Sequence, residues 1–270
     1  MARYPLLPTR SVAKPWGRDR LPRPFVTDGE RIGEIWFEPP AELPQLLVKY
    51  IFTSEALSVQ VHPSDAQTLA AGLGRQGKEE CWLVIDAEPD AVLGIGFREP
   101  VGPEAMRAAA LDGSIEQLMV WHPVRPGDFF YIPANTVHAI GAGVSLIEVQ
   151  QNSDITYRLY DYGRPRELHL DQGIAVAKGE PYAERWHRAV PERGEESLVS
   201  GPLFRLDRTD GPASEGLRAA YAGAPLLVIP REPGVAVAGL DVAVGECALA
   251  RDIADVAVEG GALALLARTL

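Results

Sequence analysis

The stretch Leu57-Ser58-Val59-Gln60-Val61-His62-Pro63 constrains this chain more than any other. Apolar Leu57, Val59 and Val61 alternate with Ser58, Gln60 and His62, the period-two pattern of a strand with one wet face. Three short, neutral side chains suited to coordination or hydrogen bonding therefore point the same way. An ordinary exposed strand face carries Thr, Lys or Glu more often. Two other segments decide whether this face is an ordinary one.

Gly77-Lys78-Glu79-Glu80-Cys81-Trp82-Leu83-Val84-Ile85 sets two carboxylates just before an apolar, β-branched run, so one of them opens a strand facing inward. Pro126 to Ile140 reads as turn, short strand, second turn and a further strand that opens on His138. Together Gln60, His62, Glu80 and His138 offer two nitrogen and two oxygen ligands, a set that suits zinc, with manganese or iron as competitors.

A chain of 270 residues can bury a sizeable core as one large domain or two smaller ones. Its 26 Gly and 23 Pro are scattered, as many short strands joined by turns require. A net charge of −11 argues against nucleic acid or an anionic membrane as the main partner. An anionic substrate would need a basic island in that acidic surface. Cys81 and Cys247 lie far apart with no CxxC partner and are expected as reduced, buried thiols. The first residues lack the apolar core of a signal peptide, and no apolar run approaches membrane-spanning length. A soluble cytoplasmic protein is the expectation.

Taken in order, residues 1–25 are rich in Pro and Arg around Lys14-Pro15-Trp16-Gly17, where Trp16 is a packing plug or a lid. A strand with Glu34 and Trp36 on one face follows, then an interior strand from Leu46 to Phe52. Ser64 or Asp65 caps a short helix through about Gly72. The clearest helix runs from Gly102 to Leu111, with Pro103 in its first turn and Gly113 beyond its end, and Ser114 to Leu118 reads as a second short one. These helices interrupt a β-rich sequence, as insertions that cover a site do. Residues from about 167 to 199 read as a polar, weakly helical connector. From about 200 on, short apolar strands return without a single histidine, which points to a structural or dimer-forming barrel rather than a second metal site.

Six separated motifs resemble one family when read together. They are Lys14-x-Trp16-Gly17, Gly33-Glu34-x-Trp36, Ser58-x-Gln60-x-His62-Pro63, Gly77-Lys78-x-Glu80-x-Trp82, Pro126-Gly127 through Ile132-Pro133 to Val137-His138, and Asn152-Ser153-Asp154-x-Thr156-Tyr157-Arg158-x-Tyr160-Asp161. Over roughly residues 10 to 175 they look like the type I mannose-6-phosphate isomerases, in the short bacterial form. The resemblance implies a mainly β fold of two cupin jelly-roll barrels. Residues 1–175 would form the catalytic barrel with a helical insertion near 102–120, residues 176–199 a connector, and residues 200–270 a second barrel-like domain. The last block matches the motifs poorly and is placed by position. The resemblance further implies one zinc ion per chain on Gln60, His62, Glu80 and His138. It puts a phosphate-contacting serine at Ser58, a lysine beside the metal carboxylate at Lys78 and the active-site arginine at Arg158. Glu79 adjoins Glu80, and strand alternation with the spacing to Trp82 favours Glu80.

Interconverting an aldose and a ketose phosphate moves a proton between C1 and C2 through an enediol, which calls for a base, an electrophile and a phosphate anchor. Lys78 shares a strand face with Glu80, and near a cation its ammonium would deprotonate more easily, making it an acid/base or an oxyanion stabiliser. Arg158 offers a planar fork of donors to enediolate or phosphate, or else a structural ion pair with Asp154 or Asp161. Lys78, Glu34 and a metal-bound water are the candidate bases. His122 and His169 fall outside the motifs and read as structural or exposed. The competing functions are another cupin metal enzyme, such as an iron-dependent glucose-phosphate isomerase or a dioxygenase, and a non-catalytic sugar-phosphate-binding cupin; the partner expected for the favoured reading is a small sugar phosphate, with no nucleic acid and no membrane. Oligomeric state is left open.

Overall fold

The computed structural model describes residues 5–270; residues 1–4, on which the leader argument partly rests, lie outside the described residues. The structure is mainly β, in four sheets. In spatial order, the strands of the largest sheet are Thr9–Arg18, Ile32–Phe37, Leu46–Phe52, Val144–Gln151, Glu80–Ala87, Asp128–Ile132 and His187–Ala189. A five-stranded sheet follows the order Tyr157–Tyr160, Val59–Val61, His138–Ile140, Val92–Phe97 and Met119–Pro123. The last third forms a second five-stranded sheet, from Glu196–Ser200 through Phe204–Asp210, Leu263–Thr269 and Leu226–Pro230 to Ala248–Ala250, and a three-stranded one. Each sheet is an open ladder among the described residues. No described helix is long and apolar enough to cross a membrane.

Strand alternation explains the layering. Along Leu46–Phe52 the residues Leu46, Val48, Tyr50 and Phe52 enter one core cluster while Ile51 enters another. The same split runs through Glu80–Ala87, with Cys81 and Leu83 on the first side and Trp82 and Val84 on the second. The seven-stranded sheet is therefore buried on both faces, which is why Leu46 to Phe52 is apolar almost throughout. Its first face packs against Phe204, Leu206, Leu227 and Ile229 of the last third, in one continuous core. Its second face looks across at Leu93, Ile95 and Ile140 of the five-stranded sheet. Helices at Pro103–Asp112 and Ile115–Leu118 cover the far side of that sheet through Met106, Ala109, Ala110 and Ile115.

The helical signals hold at the local level. Ser64 and Gln67 form a capping box at the start of Asp65–Ala70, and Gly113 ends Pro103–Asp112 at φ 83°, where a side chain would be strained. Two features differ from expectation. The connector adds a strand, His187–Ala189, to the edge of the seven-stranded sheet, pairing with Asp128–Phe130. The last block contains a helix, Glu215–Tyr221, capped by Ser214 and anchored by Leu217 and Tyr221 at i, i+4 spacing. Short apolar strands on both sides hid those roughly two helical turns.

All five tryptophans (Trp16, Trp36, Trp82, Trp121 and Trp186) precede residue 200, whereas Phe204 is buried in the core shared with the last third. Phe204→Ala is expected to destabilise the chain by about 3–5 kcal/mol and to lower the urea midpoint reported by tryptophan fluorescence. A fluorescence transition left in place would mean that the two parts unfold independently.

Candidate metal centre and its cavity

The metal-type ligands meet between the seven-stranded sheet and the five-stranded sheet. His138 pairs with Gln60 in the five-stranded sheet, and His62 follows directly on that strand. Glu80 comes from the opposite sheet, where alternation turns Glu80, Trp82, Leu146 and Glu148 to the facing side. His62, Glu80 and His138 are buried, and their ligand atoms lie within 4.8 Å of one another, a group that could hold a metal ion. Glu79 points to the other face, where it accepts hydrogen bonds from Tyr131 Oη, and its own N–H donates to Gln151.

The hydrogen bonding fits a cation. His62 Nδ1 donates to the Ile155 carbonyl at 2.8 Å and His138 Nδ1 to that of Thr136 at 2.9 Å, so both Nε2 atoms carry lone pairs. Burial and Lys78 hold both imidazoles below their ordinary value, His138 at about 4, which keeps them neutral as ligands must be. His138 Nε2 stands 3.3 Å from Glu80 Oε1, an oxygen that is buried without a hydrogen-bond partner. Two acceptors facing each other at that distance in a buried site repel unless a cation or proton lies between them. Gln60 adjoins the group, with its Nε2 3.3 Å from His138 Nε2 and its Oε1 accepting from Ser58 Oγ at 3.2 Å. Ligation by Gln60 requires that oxygen, so its carboxamide would have to turn over.

A cavity of about 360 Å³ opens beside the group. Ser58, Gln60, Lys78 and Arg158 all line it, while His62, Glu80 and His138 lie buried behind that wall, in contact with it through Lys78 and Gln60. The sequence reading passed over two of the charges that organise the cavity, Lys49 and Glu148. Lys49 and Glu148 are cross-strand neighbours 3.3 Å apart, Glu148 also lies 3.7 Å from Lys78, and Lys78 contacts Glu80. All four are under 7% exposed. Further out, Lys14 pairs with Glu34 at 3.2 Å, and Glu34 accepts from Trp36 Nε1 at 2.8 Å. Lone charges within apolar strands, Lys49 in Leu-Leu-Val-Lys-Tyr-Ile-Phe and Glu148 in Leu-Ile-Glu-Val, were the available signal.

Burial works against the Lys78 ammonium, but the chain's own Glu148 and Glu80 outweigh it and raise its pKa; a cation on the neighbouring ligands would act in the opposite direction. Two other expectations change. Asp161 is taken by Arg164 and Arg166, and no described carboxylate lies within 4.0 Å of Arg158, so a structural ion pair for Arg158 is absent. His169 lines the cavity, while His122 packs against Phe130, Tyr182 and His187 as a structural residue should. Trp16 is both core and cavity wall.

Glu148→Gln removes the carboxylate that two buried lysines share. It should destabilise the fold by about 3 kcal/mol or more, read as a lower guanidinium midpoint. An unchanged midpoint would show that the lysines do not depend on it.

No protein-family model matches the chain. It is 42% identical over 182 residues to the mannose-6-phosphate isomerase ManA of Bacillus subtilis and 42% identical over 170 residues to the mannose-6-phosphate isomerase of Streptococcus mutans. These alignments take in 64% and 60% of the chain but only 58% and 53% of the relatives, so the chain spans little more than half the length of the curated relatives it matches. In structure it resembles the mannose 6-phosphate isomerase of Bacillus subtilis, with a TM-score of 0.77, 23% identity and coverage of 98% of this chain and 100% of that one. A mutant phosphomannose isomerase of Salmonella typhimurium gives a TM-score of 0.73 at 14% identity, covering 99% and 100%. In sequence and in fold, the chain is thus related to the mannose-6-phosphate isomerases.

Proposed function

We propose that the chain is a metal-dependent aldose-ketose isomerase that interconverts mannose 6-phosphate and fructose 6-phosphate through an enediol. The observation that carries this reading is the convergence of His62, Glu80 and His138 directly behind Lys78 and Gln60, which line a cavity together with Arg158. The names of the relatives support the substrate pair. The two-nitrogen, carboxylate donor set favours zinc, one per chain, with Gln60 as a fourth ligand if its carboxamide turns. When bound, such a cation supplies Lewis acidity toward the sugar oxygens.

The chain's own residues would do the rest. Lys78 holds a proton beside the metal group and can donate it to the oxygen on which charge develops. The Glu34 carboxylate on the cavity wall, and Lys78 once it has given up its proton, can accept the proton that moves between C1 and C2. Arg158 binds the enediolate or the phosphate, and Ser58 adds a hydroxyl. Buried cavity walls limit water around the enediol. This is the basic island that an anionic substrate needs in a chain of net charge −11.

The fold that goes with this reading is a pair of cupin jelly-roll barrels, each made of opposed sheets. Residues 1–175 form the catalytic unit with its insertion near 102–120, residues 176–199 a connector and residues 200–270 the second unit. The core between the seven-stranded and first five-stranded sheets supports the first unit, and the core on the far side of the last five-stranded sheet supports the second. A cytoplasmic location fits the free, buried Cys81 and Cys247 and a phosphorylated substrate.

A coupled assay for fructose 6-phosphate formed from mannose 6-phosphate is expected to show turnover that chelator abolishes and zinc restores. Binding without turnover would identify a sugar-phosphate-binding cupin instead, and oxygen consumption with iron a different metal enzyme. Arg158→Ala should lower kcat/KM about a hundredfold or more while metal content, measured by atomic emission, stays at the wild-type level.

A further inference from the structure

The cations around the cavity are not equivalent. Lys14 is paired with Glu34, Lys49 with Glu148, Lys78 with Glu80, and Arg166 holds both carboxylate oxygens of Asp161 at 2.5 and 2.6 Å. Among these described cavity cations Arg158 alone lacks a carboxylate within 4.0 Å; its Nε donates to the Glu167 carbonyl at 3.0 Å, which leaves both terminal nitrogens for a ligand. Arg158 is therefore the one of these cations with no carboxylate in ion-pair contact, while Arg166, Asp161 and Glu167 act on it at longer range. Asp154 is the opposing charge on the wall.

His169 is bound to Arg158 through the backbone from both directions. Its N–H donates to the Arg158 carbonyl at 2.8 Å, and the Arg158 N–H donates to its Nδ1 at 3.3 Å. With Nδ1 as acceptor, the imidazole proton sits on Nε2, for which the described residues provide no hydrogen-bond partner. The ring lines the cavity. Burial, then Arg158, holds its pKa below the ordinary histidine value, so at neutral pH it is an uncharged donor that does not repel Arg158. Thr156, two residues before Arg158, adds a hydroxyl to the same wall.

We propose that His169 contacts the substrate, its Nε2–H joining the Arg158 guanidinium in receiving the anionic group of the sugar phosphate. The inference rests on the isomerase reading and names where in that cavity the phosphate is held.

Two variants separate a donor role from a structural one. His169→Asn can keep an acceptor near Nδ1 and loses the donor at Nε2; His169→Gln can keep a donor near Nε2 and loses the acceptor. A hydrogen bond to a charged group is expected to be worth about tenfold to a hundredfold in affinity. The KM for mannose 6-phosphate should accordingly be at least about tenfold higher in the Asn variant than in the Gln variant, with the loss falling on KM more than on kcat. Calorimetric titration with inorganic phosphate should rank the two proteins the same way, and it reads the site without turnover. Equal affinities, or weaker binding by the Gln variant, would overturn the proposal. Wild-type protein that binds phosphate but does not isomerise would instead remove the isomerase reading.

Discussion

Glu80 and His138 confront each other with two electron-rich atoms 3.3 Å apart in a space closed to water. Nothing in the described chain donates to that Glu80 oxygen. Folding alone gives no reason to bury such a pair, because an unmatched acceptor costs more inside a protein than at its surface. The arrangement becomes favourable once positive charge lies between the two. The surrounding row of Lys78, Glu148 and Lys49 has the same logic, each buried charge being answered by an opposite one.

That row exists because two sheets are stacked. One sheet supplies Glu80, Glu148 and Lys49 and the other supplies Gln60, His62 and His138, and neither has the whole set. Period-two alternation sends Cys81, Leu83, Ile147 and Val149 to the core behind the site and Glu80 and Glu148 to the front. A shift of one residue in either strand would exchange the two groups and destroy core and site together. The back of the seven-stranded sheet is braced by the last third of the chain, which contributes packing and no ligand.

Much of this was legible in the residues. The strand around Gln60 and His62, the inward carboxylate before an apolar run and the histidine opening a later strand are local patterns, and three of the four ligands they suggested, His62, Glu80 and His138, do converge, while Gln60 turns its amide nitrogen to the group. The choice between Glu79 and Glu80 followed from alternation and the spacing to Trp82. What stayed hidden depends on pairing across long separations. Glu148 meets Lys49 only because strands about 100 residues apart are neighbours, and each alone resembles a stray charge in an apolar segment. His169 was passed over because its position is fixed by a backbone pairing with Arg158, which no periodicity reveals. The helix Glu215–Tyr221 escaped because its seven residues carry a glycine and sit among short strands.

The most direct test of the metal centre is anomalous diffraction at the zinc absorption edge from crystals of the chain grown with zinc. One peak per chain, within bonding distance of His62 Nε2, a Glu80 carboxylate oxygen and His138 Nε2, is the result this account predicts. A structure in which zinc sits elsewhere, with these three side chains still facing one another unbridged, would contradict it.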